Sequence, residues 1–132
     1  MKRPFAMLTS TAHAVPKRAF PNSEFASIGI DTTDEWIRER TGIANRYIAG
    51  EGESLTSLSA QAAREAMAAA GVTAAELDAI ILGTASPDRL LPSTAVEVQA
   101  ALGASRAVAF DIDAACSGID GFPKIESATV RL

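Results

Sequence analysis

"LDAIILGTASPDRLLPSTAVEVQAALGASRAVAFDI", residues 77–112, decides the fold class. "AIILG" is a short unbroken apolar run closed by a glycine, the pattern of a buried strand. "TASPDRLLPS" follows as a loop carrying two prolines. Ser93 then starts a helix. Leu91, Ala95, Val98 and Leu102 recur at spacings of four, three and four, and Gly103 ends it. "RAVAFDI" reads as a further strand. Strands alternating with helices predict an α/β architecture with a mixed or parallel sheet and right-handed crossovers.

Upstream, the clearest element is "SLTSLSAQAAREAMAAAG". Ser54 is placed to cap this helix, Leu55, Leu58, Ala62, Ala66 and Ala69 form its apolar stripe, and Gly71 is placed to end it. Thr73 and Glu76 have capping-box spacing for a short helical turn. Thr32 and Glu35 have the same spacing at the head of a helix over "TTDEWIRER". "TGIANRYIAGEGES" is turn-rich, with a short strand expected around Arg46–Ile48. Residues 3–10 are read as a first strand and "PKRAFPNSEF" as a loop.

The composition excludes several classes. Of 132 residues, 48% are hydrophobic and 21% charged, the balance of a globular chain rather than a disordered one. Twelve Lys+Arg against 16 Asp+Glu leave a formal charge of −4 and no basic stripe, so no nucleic-acid partner is expected. No stretch approaches the roughly 20 apolar residues of a membrane span, so no membrane partner is expected either. "MKRPFAMLTSTAHA" has the basic start and A-x-A-like end of a leader, but "PFAML" falls short of the roughly 7–15 apolar residues such a segment needs. A cytoplasmic location is the expectation. No metal site is expected.

Cys116 is the one cysteine, so no internal disulfide forms. It lies in "DIDAACSGID", just beyond the last strand. Two readings stand. It is a small buried hydrophobe, as free cysteines commonly are. Or it is a nucleophile at a strand-to-helix turn, where Ala114, Ala115, Ser117 and Gly118 permit tight geometry. There the helix dipole favours the thiolate, and backbone N–H groups can hold an oxyanion. The one histidine, His13, is read as a surface residue, which leaves such a nucleophile without a partner base within the chain.

"GIDTTDEWIRERTGIANRYIA" followed by "FDIDAACSG" strongly resembles β-ketoacyl-acyl-carrier-protein synthase III, the initiating condensing enzyme of fatty-acid synthesis. "AAREAMAAAGV", "LDAIILGTASPD" and "LPSTAVEVQAALG" follow in the family's order. The resemblance runs from about Met7 to Ile119 and covers less than half of a family member. It implies the N-terminal half of a thiolase-like fold, an α/β arrangement of βαβαβ-type layers, with the second half missing. The domain reading is therefore a half-domain over 1–119 and a divergent, poorly ordered tail over 120–132.

The resemblance also implies roles. Cys116 accepts an acyl group from acyl-CoA, the substrate, and passes it to malonyl-acyl-carrier protein with loss of CO₂ in a homodimeric enzyme. No covalently bound cofactor is implied. Trp36 matches a residue stacking on the CoA adenine, Thr32 one contacting the same base, and Arg40 one meeting the adenine–phosphate end. Leu91 matches a residue lining the acyl pocket. Read without the resemblance, Trp36 packs on the core, Arg40 is a solvated helix end, and Leu91 is a loop leucine packed on the core. The histidine and asparagine that activate malonyl decarboxylation belong to the family's second half. After Ile119 "DGFPKIESATVRL" no longer matches, as expected of a reading-frame change, a truncated gene or a fragment. The alternatives to an initiating condensing enzyme are a non-catalytic relic or interaction module that pairs with a full-length synthase, and a polyketide- or quinolone-type starter condensing enzyme.

Overall fold

The structure, a computed structural model, describes residues 7–115. The expectations for Cys116 and for the 120–132 tail lie outside the described residues. The chain divides into two compact units, one of Val15–Glu53 and one formed by the chain on either side of it.

The Val15–Glu53 unit is built on a two-stranded antiparallel ladder. Strand β1 (Arg18–Pro21) pairs with β2 (Asn45–Ile48), Arg18 opposite Ile48 and Pro21 opposite Asn45. The sequence led us to expect a loop where β1 lies. Pro21 has no N–H to give a ladder, but as the last residue of a strand with one neighbour it needs none. Two single 3₁₀ turns, Asn22–Glu24 and Ala26–Ile28, lead towards helix α1 (Asp34–Thr41). Phe20 and Ile37 are buried, and the Phe25 ring meets Phe20 edge-on at 5.1 Å.

The α1 cap is displaced by one residue from its expected place. Thr33, not Thr32, is extended, and its Oγ1 accepts from Trp36 N at 3.1 Å. The third helical residue is then Trp36 instead of a glutamate, so no reciprocal capping box forms. Asp34 and Glu35 instead stand in the first turn, beside the positive end of the helix dipole.

The second unit carries α2 (Leu55–Ala70), a 3₁₀ turn (Ala74–Glu76), β3 (Ala79–Gly83), α3 (Thr94–Leu102) and β4 (Val108–Ile112). Strands β3 and β4 are parallel, with Ala79 opposite Val108 and Gly83 opposite Ile112, so α3 is the crossover of a βαβ unit. Residues 7–10 form no strand; Ser10 Oγ instead donates to Ala66 O at 2.7 Å. Helix α2 begins with a capping box, Ser57 N to Ser54 Oγ and Ser54 N to Ser57 Oγ. It ends at Gly71, whose φ of 69° is a left-handed conformation that glycine adopts without steric cost. The α2 stripe is less simple than its period suggests. The buried residue of the helix is Ala60, outside the expected stripe; of the stripe, Leu55, Leu58, Ala62 and Ala66 are half-buried and Ala69 is exposed.

Helix α3 takes its cap from a distance. Ser93 has the backbone of a cap, but its side chain makes no capping bond. The Asp111 carboxylate on β4 accepts from Thr94 N at 2.8 Å and Ala95 N at 2.7 Å. A charged acceptor with two oxygens satisfies two of the helix's free N–H groups at once, and it complements the dipole. Thr94, Ala95 and Val98 are buried behind it. Burying a valine side chain stabilises by roughly 1.5–3 kcal/mol.

Candidate functional site

A cleft of about 540 Å³ opens in the Val15–Glu53 unit. Phe25, Ile30 and Ile37 make its apolar lining; Trp36, Thr32, Thr33, Asp31 and Arg46 bring polar or aromatic groups to it. Two of the three expected nucleotide contacts, Thr32 and Trp36, therefore share one concavity. Thr32 is half-buried. Trp36 remains 52% exposed, against the core-packing reading, because the α1 face that meets the core is the one carrying Ile37.

Arg40, the third, stands one turn on from Trp36, and its guanidinium carbon lies 4.5 Å from the centre of the indole. This is a cation–π contact at i, i+4. The other α1 arginine is engaged elsewhere. Arg38 donates to both oxygens of Asp34 at 2.8 and 2.7 Å. That bond, and then the one from Asn22, hold the Asp34 carboxyl below its usual range.

Asn22, 1% exposed, ties the unit together. Its Nδ2 donates to Asp34 Oδ1 at 2.8 Å and to Ile43 O at 2.6 Å, and its Oδ1 accepts from Arg46 Nη1 at 2.6 Å. Arg46 also lies over the Phe25 ring, 5.4 Å from its centre. Reasoning from sequence missed Arg46 as a cleft residue. Nothing local marks it; its place depends on Asn22, 24 positions away.

In the second unit, β4 ends at Ile112, and Ala115 has φ 45°. A left-handed alanine is strained by roughly 1–3 kcal/mol, and it immediately precedes Cys116. Leu91 is 86% exposed and its neighbour Leu90 88%, so Leu91 is not packed on the core. A second, larger cavity of about 720 Å³ is lined by small and apolar side chains, among them Ala62, Ala66, Met67, Ile80 and Leu102, with no ionisable group. A third concavity holds Asp88, Arg89 and Glu97. Asp88 caps α2 by accepting from Thr56 N and Leu55 N, and those backbone donors, Thr56 first, hold its carboxyl below the usual range. His13 is exposed. Among the described residues no group of three or more His, Cys, Asp or Glu is placed to hold a metal, and no helix is long and apolar enough to cross a membrane.

Comparison with known proteins agrees with the architecture. No protein-family model matches the chain. It is 51% identical over 113 residues to the β-ketoacyl-[acyl-carrier-protein] synthase III of Novosphingobium aromaticivorans, covering 86% of this chain and 34% of that protein. The crystal structure of 3-oxoacyl-[acyl-carrier-protein] synthase III from Aquifex aeolicus superposes with a TM-score of 0.81 at 46% identity, over 90% of this chain and 38% of that one. The priming β-ketosynthase of the R1128 polyketide pathway gives a TM-score of 0.84 at 35% identity, over 94% and 37%. The chain thus spans about a third of the length of the curated relatives it matches, at their N-terminal end.

Proposed function

We propose that this chain, which has the sequence and fold of the N-terminal part of a β-ketoacyl-[acyl-carrier-protein] synthase III, binds the nucleotide end of an acyl-CoA at the Trp36 cleft and accepts the acyl group on Cys116. The observation that carries this reading is the convergence at one indole. Trp36 and Thr32 share the cleft, and Arg40 covers one face of the ring. A purine stacks on the other face, Thr32 meets its edge, and the Arg40 guanidinium is left to pair with a phosphate.

In the acyl transfer, the Cys116 thiolate attacks the thioester carbonyl. The bond to the CoA sulfur breaks, a new thioester forms on Cys116, and the departing CoA thiolate takes up a proton. Backbone N–H groups at the turn after β4 stabilise the tetrahedral oxyanion. Leu91, exposed on its loop, is read as a wall of the acyl site. Decarboxylative condensation with malonyl-acyl-carrier protein, as a cytoplasmic homodimer, is the activity of the whole protein. It needs the histidine and asparagine of the part this chain does not span. The half-domain over 1–119 and a separate tail over 120–132 complete the proposal. A polyketide-starter role is the second reading, favoured by the R1128 neighbour.

Intact-mass analysis of the chain after incubation with acetyl-CoA tests the proposal. A single acetyl adduct, absent from Cys116→Ser, is expected. An adduct that survives Cys116→Ser would refute the assignment.

A further inference from the structure

Resting on the nucleotide reading of this cleft, we infer that Arg46 is a second anion-binding side chain within it, placed to take a phosphate of the bound nucleotide. Asn22 is 1% exposed, and both its amide hydrogens are engaged by Asp34 and the Ile43 carbonyl. Its Oδ1 is thereby turned to Arg46, which donates through Nη1 at 2.6 Å. Phe25 lies against the same guanidinium at 5.4 Å. The Arg46 head group is held from two sides before any ligand arrives.

A guanidinium carries five donors in a rigid fork. One is used by Asn22, and among the described residues the ion pairs are Arg38 with Asp34 and Arg89 with Glu97, leaving Arg46 without a carboxylate partner. Arg46 faces a cleft in which Phe25, Ile30 and Ile37 stand beside Asp31, Thr32, Thr33 and Trp36, and the apolar part of that lining strengthens a charge-assisted bond. Asp31 shares the cleft and repels an anion near itself, which leaves the Arg46 side for the phosphate. Arg40 arrives from α1 and Arg46 from β2, so a ligand carrying both an aromatic base and an anionic group meets donors from two elements.

Trp36 is the sole tryptophan, so its fluorescence reports the cleft in the full chain. Titrations with coenzyme A and with adenosine separate the anionic contact from the stack. Arg46→Gln is expected to weaken coenzyme A binding about 10-fold or more while leaving adenosine within about twofold, with Arg46→Lys between. Should Arg46→Gln fail to fold, the Arg46 side-chain N–H signal of the unaltered protein is followed by NMR. It is expected to shift with coenzyme A and not with adenosine. Equal coenzyme A affinity in Arg46→Gln, equal weakening of both ligands, or an unmoved Arg46 signal while Trp36 responds would each overturn the Arg46 assignment and leave the cleft reading standing. No response of Trp36 to either ligand would overturn the cleft reading, and this inference with it.

Discussion

Replacing Asp111 with alanine removes both acceptors from the first turn of α3, the helix that links the parallel strands. The two bonds, 2.8 Å to Thr94 N and 2.7 Å to Ala95 N, are charge-assisted, and the residues they serve are 1% and 0% exposed. Each buried N–H left without an acceptor costs roughly 1–3 kcal/mol. The pair therefore predicts a loss of about 2–6 kcal/mol, a large part of the stability of a small domain. Part of the loss is recoverable, because Ser93 already has an extended cap conformation, φ −63° and ψ 152°, with its hydroxyl making no capping bond. Ser93→Ala should be nearly silent in the unaltered chain, within about 0.5 kcal/mol as for ordinary surface changes. In the Asp111→Ala background, where the serine takes over the cap, the same change should cost about 1 kcal/mol. A double-mutant cycle measured by urea unfolding, followed by far-UV circular dichroism, isolates this coupling. Trp36 fluorescence does not serve here, since the tryptophan belongs to the other unit. Asp111→Ala within 0.5 kcal/mol of the parent, or a costly Ser93→Ala in the parent, would show that the cap is not where the stability lies.

Three further outcomes follow from the same contacts. Asn22→Ala strands the Arg46 guanidinium, Asp34 and the Ile43 carbonyl, and should destabilise the Val15–Glu53 unit by about 2–4 kcal/mol in denaturant titrations read by Trp36 fluorescence; an unchanged midpoint would contradict the hub role. Ala115→Gly removes the left-handed strain at φ 45° and should raise stability by about 1 kcal/mol, measured as an upward shift of the thermal midpoint. Asp34, Glu53, Glu76 and Asp88 all have carboxyls held below their ordinary values of 3.8 (Asp) and 4.5 (Glu) by hydrogen bonds. Their folded pKa values are depressed, so their contribution is present above those ordinary values and is lost as the pH falls through the lower folded ones. An acid titration should show stability falling below about pH 4, and a flat profile down to pH 2 would contradict it.

Local signals carried the reading of α2, of the Thr73–Glu76 turn, and of the β3–α3–β4 order. A capping box, a terminal glycine and an apolar run are each complete within a few residues of chain. Features that depend on a distant partner were not legible. β1 is a strand because β2 pairs with it, although Pro16 just before it and Pro21 at its end argue the other way. Spacing pointed to Thr32 through Glu35, three residues on, yet Thr33 is the cap, and both threonines line the cleft. Asp111 caps a helix that begins 17 residues earlier, and Arg46 reaches the cleft through Asn22. For the candidate site, Trp36 and Arg40 at i, i+4 were readable as a pair. The contact of 4.5 Å between them required coordinates.

Glu53 accepts from Lys17 N at 3.0 Å through one oxygen and from Gly50 N at 2.9 Å through the other. The segment that carries the cleft therefore leaves and rejoins the rest of the chain at neighbouring points, latched by a single carboxylate. A stretch with adjacent ends is a cassette. It can be lengthened, shortened or exchanged for another of its kind without redirecting the chain that enters α2. The residues that line the cleft and the strand that ends before the cysteine belong to separate units, so each can change by its own mutations as long as the latch is kept.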